Sequence, residues 1–280
     1  MKISIMTRVF WKCYEWPGRT FNFTLVEILK RIVKNYYRAV DLCEYPLEFW
    51  PSAMSEREKK QLKELLEHLN LKASGITIPT FAPGLELLPT EADRVLAFKR
   101  LKNAIHLAHY LEGDTVMYGI SPLPVFGVPS EKAYRWTLEL VSKSARLAEE
   151  SGVQLAIEFV NIFFTSSESI LNFLETVGSD SVGLCLEVSN VHARPNRESL
   201  EEHIDACRDW IKLVHLVDPA NEYWNKSIGV DISTILRKLK RIHYEGYLVT
   251  EGFSRELECS DLDREVTTSY MFLENLLAKL

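Results

Sequence analysis

The sequence predicts an α/β protein folded as a single (β/α)8 barrel that spans residues 1–280. Eight short apolar runs rich in β-forming residues alternate with eight segments of helical period. Strict alternation indicates parallel strands joined by right-handed helical crossovers. The chain has 280 residues, a size at which eight such units close into a barrel, and no Gly-, Ser- or Pro-rich linker divides it. A doubly wound open sheet is the alternative architecture.

Each strand is expected where a short apolar run occurs, and each helix where the following segment has helical period. The strands are expected near residues 2–7, 38–44, 72–78, 114–120, 153–159, 182–188, 211–217 and 246–251. The helices are expected near residues 24–36, 55–69, 90–111, 130–151, 167–177, 198–209, 231–242 and 262–279. Three helix starts carry their own signals: Ser55 with Glu58 as a capping box, Pro129 before the fourth helix, and Asp231 as a cap of the seventh.

The composition is that of an ordinary globular protein, with 46% apolar residues and a net charge of −6. The acidic balance argues against a nucleic-acid partner, because phosphate binding needs clustered Lys and Arg. No apolar stretch approaches the ~20 residues that span a bilayer, and the first residues do not resemble a secretory signal. The five cysteines form no CxxC pair and argue against a disulfide framework. We therefore expect a cytoplasmic protein without a membrane partner.

Four residues mark the carboxyl ends of the last four expected strands: Glu158, Glu187, His215 and Glu251. Each ends an apolar run, where a charged group or an imidazole is costly to bury unless it is paired, protonated or bound to metal. Active sites of such barrels lie at the carboxyl ends of the strands. Because alternate side chains of a strand share one face, and strands five to eight are neighbours, the four side chains can reach a common point.

Three carboxylates and one imidazole are a donor set that suits one divalent metal ion. Mn²⁺ is the first expectation, with Mg²⁺, Co²⁺ and Zn²⁺ as alternatives. Such an ion can polarise an α-hydroxy carbonyl, while a carboxylate on each side exchanges protons with the neighbouring carbon. The competing interpretation is a set of buried salt bridges to cations of neighbouring strands, which offer few beyond Lys212.

The runs around these residues resemble strand motifs of a known superfamily. The similar segments are residues 152–158 (GVQLAIE), 182–187 (VGLCLE), 214–218 (VHLVD), 228–231 (IGVD) and 244–251 (YEGYLVTE). They resemble the motifs of strands five to eight in the xylose isomerase-like TIM barrels, which include sugar isomerases, sugar epimerases and endonuclease IV. Upstream, Val40-Asp41-Leu42 stands where the family usually has a glutamate between two apolar residues.

This resemblance implies a role for each of the four residues. The implied metal ligands are Glu158, Glu187, His215 and Glu251, and the implied catalytic pair is Glu158 and Glu251. Glu187 departs from the family because an aspartate is usual there, and Asn190 stands where many epimerases have a histidine. We expect Asn190, His192 and Lys226 to contact the substrate.

The resemblance implies a metal-dependent isomerase or epimerase whose partner is a small sugar or sugar-like ketose. The alternatives are a dehydratase of inosose-like or keto-acid substrates, a non-catalytic barrel, and a repair nuclease, which would need further histidines and a basic groove. Homo-oligomers are common in the family, so self-association is a further expectation. Arg8 follows the first strand, and we expect it to be a solvated surface charge, with a side chain that holds a carboxylate or phosphate as the alternative.

Overall fold

The computed structural model describes residues 1–11, 23–44, 49–79, 90–120, 129–159, 164, 166–192, 198–254 and 257–280. Its eight strands are all parallel to their neighbours and close into a barrel in chain order, with β1 paired to β8. The strands are β1 Lys2–Met6, β2 Ala39–Cys43, β3 Lys72–Ile78, β4 Thr115–Ile120, β5 Gln154–Phe159, β6 Val182–Glu187, β7 Ile211–Val217 and β8 Tyr247–Gly252. The prediction of a (β/α)8 barrel is confirmed, and the open sheet is excluded.

All eight expected helices are present, with ends that differ from the prediction by a few residues. The helices are α1 Arg8–Trp11, α2 Leu25–Lys34, α3 Glu56–His68, α4 Glu91–Tyr110, α5 Ser130–Ser151, α6 Ser167–Val177, α7 Val188–His192, α8 Leu200–Ala206, α9 Glu222–Ser227, α10 Ile232–Arg241 and α11 Cys259–Ala278. The short helices α1, α7 and α9 were not predicted, because four to six residues are too few to show a helical period. Each lies in the segment after a strand, at the end of the barrel where active sites form.

Local capping explains where several helices begin. The Ser55 hydroxyl accepts from the Glu58 backbone N–H, and the Glu58 carboxylate accepts from the Ser55 backbone N–H, as the sequence predicts. Asp231 accepts from the Ser233 N–H at the start of α10. Pro129 precedes α5 without a side-chain cap. Gly152 ends α5 with φ of 66°, a left-handed conformation that glycine adopts without strain.

The register of the sheet fixes which side chains face the interior. Gly119 stands opposite Glu158, and Glu187 stands opposite His215. Because alternate residues of one strand share a face, Thr115 and Gly119 of β4 face the same side as Glu158. The strands of the barrel are buried on both faces, as expected of a parallel sheet that is covered by helices.

The described cysteines include both free thiols and a disulfide-bonded residue. Cys43, Cys185 and Cys207 are buried free thiols, whereas Cys259 at the start of α11 is disulfide-bonded. This bond departs from the expectation, drawn from the number and spacing of the cysteines, that they are not held in disulfides. Among the helices of the described residues, none is both long and apolar enough to cross a bilayer.

Candidate active site

The four residues at the strand ends occupy one end of the barrel and are almost fully buried. Glu158 and Glu251 retain 9% exposure, Glu187 retains 5% and His215 has none. They lie in the last three residues of β5, β6, β7 and β8, and the strands run parallel. The sequence prediction that they face the same end of the barrel is therefore correct.

Glu251 lies between a cation and an imidazole. Its Oε1 accepts a hydrogen bond from Nη1 of Arg8 at 3.1 Å, and its Oε2 lies 3.5 Å from Nδ1 of His215. Glu251 also repels the two neighbouring carboxylates. Burial raises the pKa of Glu158 to about 8, with Glu251 as the next cause, and the same two causes raise the pKa of Glu187 to about 7.

Glu187 is turned toward the start of α7. Its Oε1 accepts from the backbone N–H of Ser189 at 3.1 Å, and its Oε2 accepts from the Ser189 hydroxyl at 2.7 Å and from the Asn190 N–H at 2.6 Å. Both N–H groups belong to the first turn of a helix, where they have no partner within the helix. The glutamate that replaces the family's aspartate thus holds α7 against the end of β6.

Two of the three predicted substrate contacts can be placed. The side-chain amide of Asn190 donates to Oε1 of Glu158 at 2.7 Å, which puts Asn190 inside the cluster. Lys226 lies on α9 with a 72% exposed side chain, 3.3 Å from Glu222. No contact among the described residues joins Lys226 to the four strand-end residues. The side chain of His192 lies outside the described residues.

Arg8 belongs to the candidate site, although the sequence favoured a solvated surface position for it. It lies two residues after the end of β1, at the first position of α1, its side chain is 26% exposed, and it pairs with Glu251. Solvated surface charge was the favoured interpretation for a lone arginine there, and that interpretation is wrong. Burial lowers the pKa of Lys212, the other cation considered as a partner, and the nearby carboxylate that opposes this shift is Asp180. The available signal was the position of Arg8 at a strand end, which it shares with the four site residues.

The donor set fits a divalent ion in its chemistry. Both ring nitrogens of His215 are buried and find no hydrogen-bond partner among the described residues, and a cation would relieve the repulsion among the carboxylates. Within the described ranges, no three His, Cys, Asp or Glu side chains are already arranged as ligands of one ion. Glu187 and Glu158 instead accept hydrogen bonds from Ser189 and Asn190. Coordination by all four residues therefore requires side-chain rotation.

A second polar cluster lies at the start of α6, away from the barrel interior. Oγ of Ser167 lies 2.6 Å from Nδ1 of His203 and donates to Oε1 of Glu198 at 2.6 Å. A nucleophile relay would place the carboxylate on the other ring nitrogen. Here Glu198 contacts the serine and, at 3.4 Å, the same Nδ1 of His203. Glu198 also accepts from the Ser167 backbone N–H, so the cluster fixes the start of α6.

The model of the xylose isomerase-like TIM barrel family matches residues 29–276. A ketose 3-epimerase from Arthrobacter globiformis is 25% identical over 149 residues, which are 52% of this chain and 48% of that protein. An inosose isomerase from Bacillus subtilis is 25% identical over 142 residues, 46% of this chain and 50% of that protein. These matches span about half the length of the two relatives.

Solved structures give the same fold. An L-ribulose 3-epimerase superposes with a TM-score of 0.75 at 20% identity, over 100% of this chain and 95% of that one. A D-psicose 3-epimerase from Clostridium cellulolyticum H10, solved with D-tagatose, has a TM-score of 0.77 at 17% identity over 99% of both chains. At these identities the likeness shows the fold alone. Because the family model covers most of its length, the chain belongs to the xylose isomerase-like TIM barrel family.

Proposed function

We propose that the protein is a divalent-metal-dependent isomerase or epimerase of a small sugar or sugar-like ketose. The observation that carries the proposal is the buried cluster at the ends of β5 to β8, where Oε2 of Glu251 lies 3.5 Å from Nδ1 of the fully buried His215 and Glu158 lies near the end of β5 on the same barrel rim. Proton exchange at carbon needs a base and an acid close to one another in a site that excludes water.

The metal ligands in this proposal are Glu158, Glu187, His215 and Glu251. When bound, a divalent ion would supply Lewis-acid polarisation of the hydroxy-ketone oxygens. Mn²⁺ is the first candidate, and Mg²⁺, Co²⁺ and Zn²⁺ are the alternatives, because the set is rich in oxygen with one nitrogen.

The chain's own groups would move the proton. One of Glu158 and Glu251 removes the hydrogen beside the carbonyl, and the enediolate that results is protonated again by the other or by the same group. The Asn190 amide orients Oε1 of Glu158, and the Arg8 guanidinium orients Oε1 of Glu251. Burial keeps water away from the reacting carbon, which protects the reactive intermediate.

The substrate class is supported by the relatives. The names of a ketose 3-epimerase and of an inosose isomerase both describe rearrangement beside a carbonyl of a polyhydroxylated carbon skeleton. We propose the same class of small carbohydrate for this chain, with Asn190, His192 and Lys226 contacting it. A cytoplasmic location and self-association remain part of the proposal.

Hydrogen exchange with solvent tests this function. The protein loaded with Mn²⁺ is incubated in D₂O with a panel of ketoses and inososes, and the products are analysed by mass spectrometry and NMR. We expect one deuterium at the carbon beside the carbonyl, together with an epimer or isomer. A product lighter by one water would establish the dehydratase instead. A barrel that binds the ion but exchanges no hydrogen in any substrate would contradict the proposal.

The matched control is Glu64→Gln. Glu64 lies on α3 with a 61% exposed side chain, and its one described ion pair is with Lys60. Replacing it removes a surface carboxylate without touching the buried cluster or the proposed substrate contacts. Deuterium incorporation by this variant should equal that of the unaltered protein.

A further inference from the structure

A second group of polar atoms without partners lies inside the barrel. Within the part of the chain that the structure describes, the buried atoms without a hydrogen-bond partner include both carboxylate oxygens of Asp41, the hydroxyl oxygen of Thr77 and both ring nitrogens of His215. Asp41, Thr77 and His215 have no solvent exposure. Leaving a buried polar group without a partner costs about 1–3 kcal/mol, and more for a charged group. Such atoms in a native protein require an explanation.

The sheet register places Asp41 beside the candidate active site. Asp41 stands opposite Met6 on β1, and Ile5 stands opposite Thr250 on β8, so the next pair along these strands is Met6 with Glu251. Asp41, Met6 and Glu251 therefore form one row across three neighbouring strands. In the other direction, Asp41 stands opposite Gly75, which stands opposite Thr115.

That second row fixes the direction of the Asp41 side chain. Thr115 shares a face of β4 with Gly119, the residue opposite Glu158, so Asp41 faces the same interior as the four strand-end residues. A Cβ atom on Gly75 would lie 3.2 Å from Oδ2 of Asp41. Burial raises the pKa of Asp41, and the nearby His215 opposes that shift.

We propose that Asp41 is a positioning residue of the metal site, whose carboxylate accepts the ring N–H of His215 and so determines which ring nitrogen faces the ion. The inference rests on the proposed function and adds a fifth strand-borne residue to it. An imidazole that ligates a metal through one nitrogen almost always donates its other N–H to a carboxylate, carbonyl or water. That contact selects the tautomer and the ring orientation.

The other neighbours of the ring are weaker candidates for this contact. Oε2 of Glu251 lies on the Nδ1 side of the ring, and Glu251 is itself a proposed ligand already paired with Arg8. Cys185 offers only a thiol, and sulfur is a weak acceptor. Glu158 and Glu187 are proposed ligands, whereas the buried carboxylate of Asp41 is not, and its two oxygens have no hydrogen-bond partner among the described residues.

If Asp41 served only to stabilise the fold, removing it would lower the stability of the metal-free protein. A buried carboxylate without a partner lowers the free energy of unfolding of the metal-free protein. A neutral side chain at this position would therefore make the metal-free protein more stable. Retaining Asp41 is understandable if the ion-bound form uses it. Removing Asp41 should therefore weaken metal binding without lowering the stability of the metal-free protein.

Titration of metal-free protein with Mn²⁺ by calorimetry tests the inference, using the full chain and the variants Asp41→Ala and Asp41→Asn. We expect Asp41→Ala to weaken Mn²⁺ binding about 10–100-fold, the usual effect of losing such an outer partner. Asp41→Asn keeps an acceptor oxygen and should weaken binding less. The melting temperature of both metal-free variants should equal or exceed that of the parent.

The control is Ser4→Ala. Ser4 is equally buried on β1, but its hydroxyl has a partner 2.7 Å away in Ser74. Its replacement should change stability and leave Mn²⁺ affinity unaltered. A ¹⁵N-histidine spectrum in the presence of Mg²⁺ adds a direct readout: one His215 tautomer in the parent and a mixture in Asp41→Ala.

Three results would overturn the inference. Unchanged Mn²⁺ affinity in Asp41→Ala would remove Asp41 from the site and leave the proposed function intact. A lower melting temperature with unchanged affinity would assign it a structural role. A parent protein that binds none of Mn²⁺, Mg²⁺, Co²⁺ and Zn²⁺ would overturn the inference together with the metal dependence of the proposed function.

Discussion

Nη1 of Arg8 donates to Oε1 of Glu251 at 3.1 Å, across a sequence separation of 243 residues. The contact joins the segment after the first strand to the end of the last strand, which are neighbours only because the barrel closes. It sets one positive charge against a cluster of three carboxylates, and it leaves Oε2 of Glu251 directed toward His215. Arg8 thus fixes the orientation of a proposed catalytic carboxylate.

Replacing Arg8 with glutamine should therefore impair catalysis more than folding. We expect turnover to fall about 10–100-fold, because Glu251 loses the charged donor that orients it. The free energy of unfolding of the metal-free protein should fall by only about 1 kcal/mol, since the pair is partly solvated. Steady-state kinetics and urea unfolding measure the two effects. Arg8→Lys, which keeps the charge, is the matched variant, and equal turnover in Arg8→Gln and the parent would contradict the assignment.

Glu158→Gln and Glu251→Gln should each abolish most of the turnover while leaving the fold intact. General acid–base catalysis raises reaction rates about 10²–10⁴-fold, and the amide of glutamine cannot act as a base as a carboxylate does. Circular dichroism verifies folding, and deuterium incorporation at the substrate carbon measures the chemistry. Full activity in either variant would remove that glutamate from the mechanism.

Asn190→Ala should lower kcat more than it changes KM. The amide that donates to Oε1 of Glu158 at 2.7 Å is lost, so the proposed base has more freedom to leave its reactive orientation. We expect a loss of about 10-fold, because a neutral donor is removed from a group that remains buried. Ser189→Ala is the comparison, since its hydroxyl bonds Glu187 instead. A change confined to KM would indicate that Asn190 binds substrate and does not orient Glu158.

The stability of the metal-free protein should fall as the pH rises. Burial and mutual repulsion raise the pKa of Glu158 to about 8 and of Glu187 to about 7, from an ordinary value of 4.5. Between the ordinary and the raised values the folded state binds more protons than the unfolded chain, so the free energy of unfolding decreases with pH. The decrease should be on the order of a few kcal/mol from about pH 5 to pH 8.

Urea unfolding across this pH range measures the slope. The double variant Glu158→Gln with Glu187→Gln should show a much flatter dependence, because neither side chain can then release a proton. Adding Mn²⁺ to the parent should restore stability at the alkaline end, where the carboxylates are ionised and free to bind the ion. A metal-free parent that becomes more stable toward pH 8 would contradict the electrostatics of the cluster.

The fold could be predicted from the sequence because the patterns that indicate strands and helix starts are local and recur along the chain. The run that ends at Glu187 is apolar throughout, and its residues are buried on both faces, as in a covered parallel strand. The capping box of Ser55 and Glu58 fixes a helix start within four residues. The helices α1, α7 and α9 escaped prediction because each is shorter than two turns.

The site was only partly accessible for a different reason. Glu158, Glu251 and His215 could be recognised because each is polar where its strand should be apolar. The Arg8 contact depends on the closure of the barrel, and the contacts of Glu187 depend on a turn of helix that has no periodic signal. The isolation of the Asp41 oxygens is a property of three-dimensional packing, so sequence spacing could not reveal it.

A crystal structure of the Mn²⁺-loaded protein, measured at the manganese absorption edge, tests the central claim most directly. We expect a single anomalous peak at the carboxyl end of the barrel, about 2.0–2.6 Å from donor atoms of Glu158, Glu187, His215 and Glu251. A peak elsewhere in the molecule, or no peak at full Mn²⁺ saturation, would contradict it.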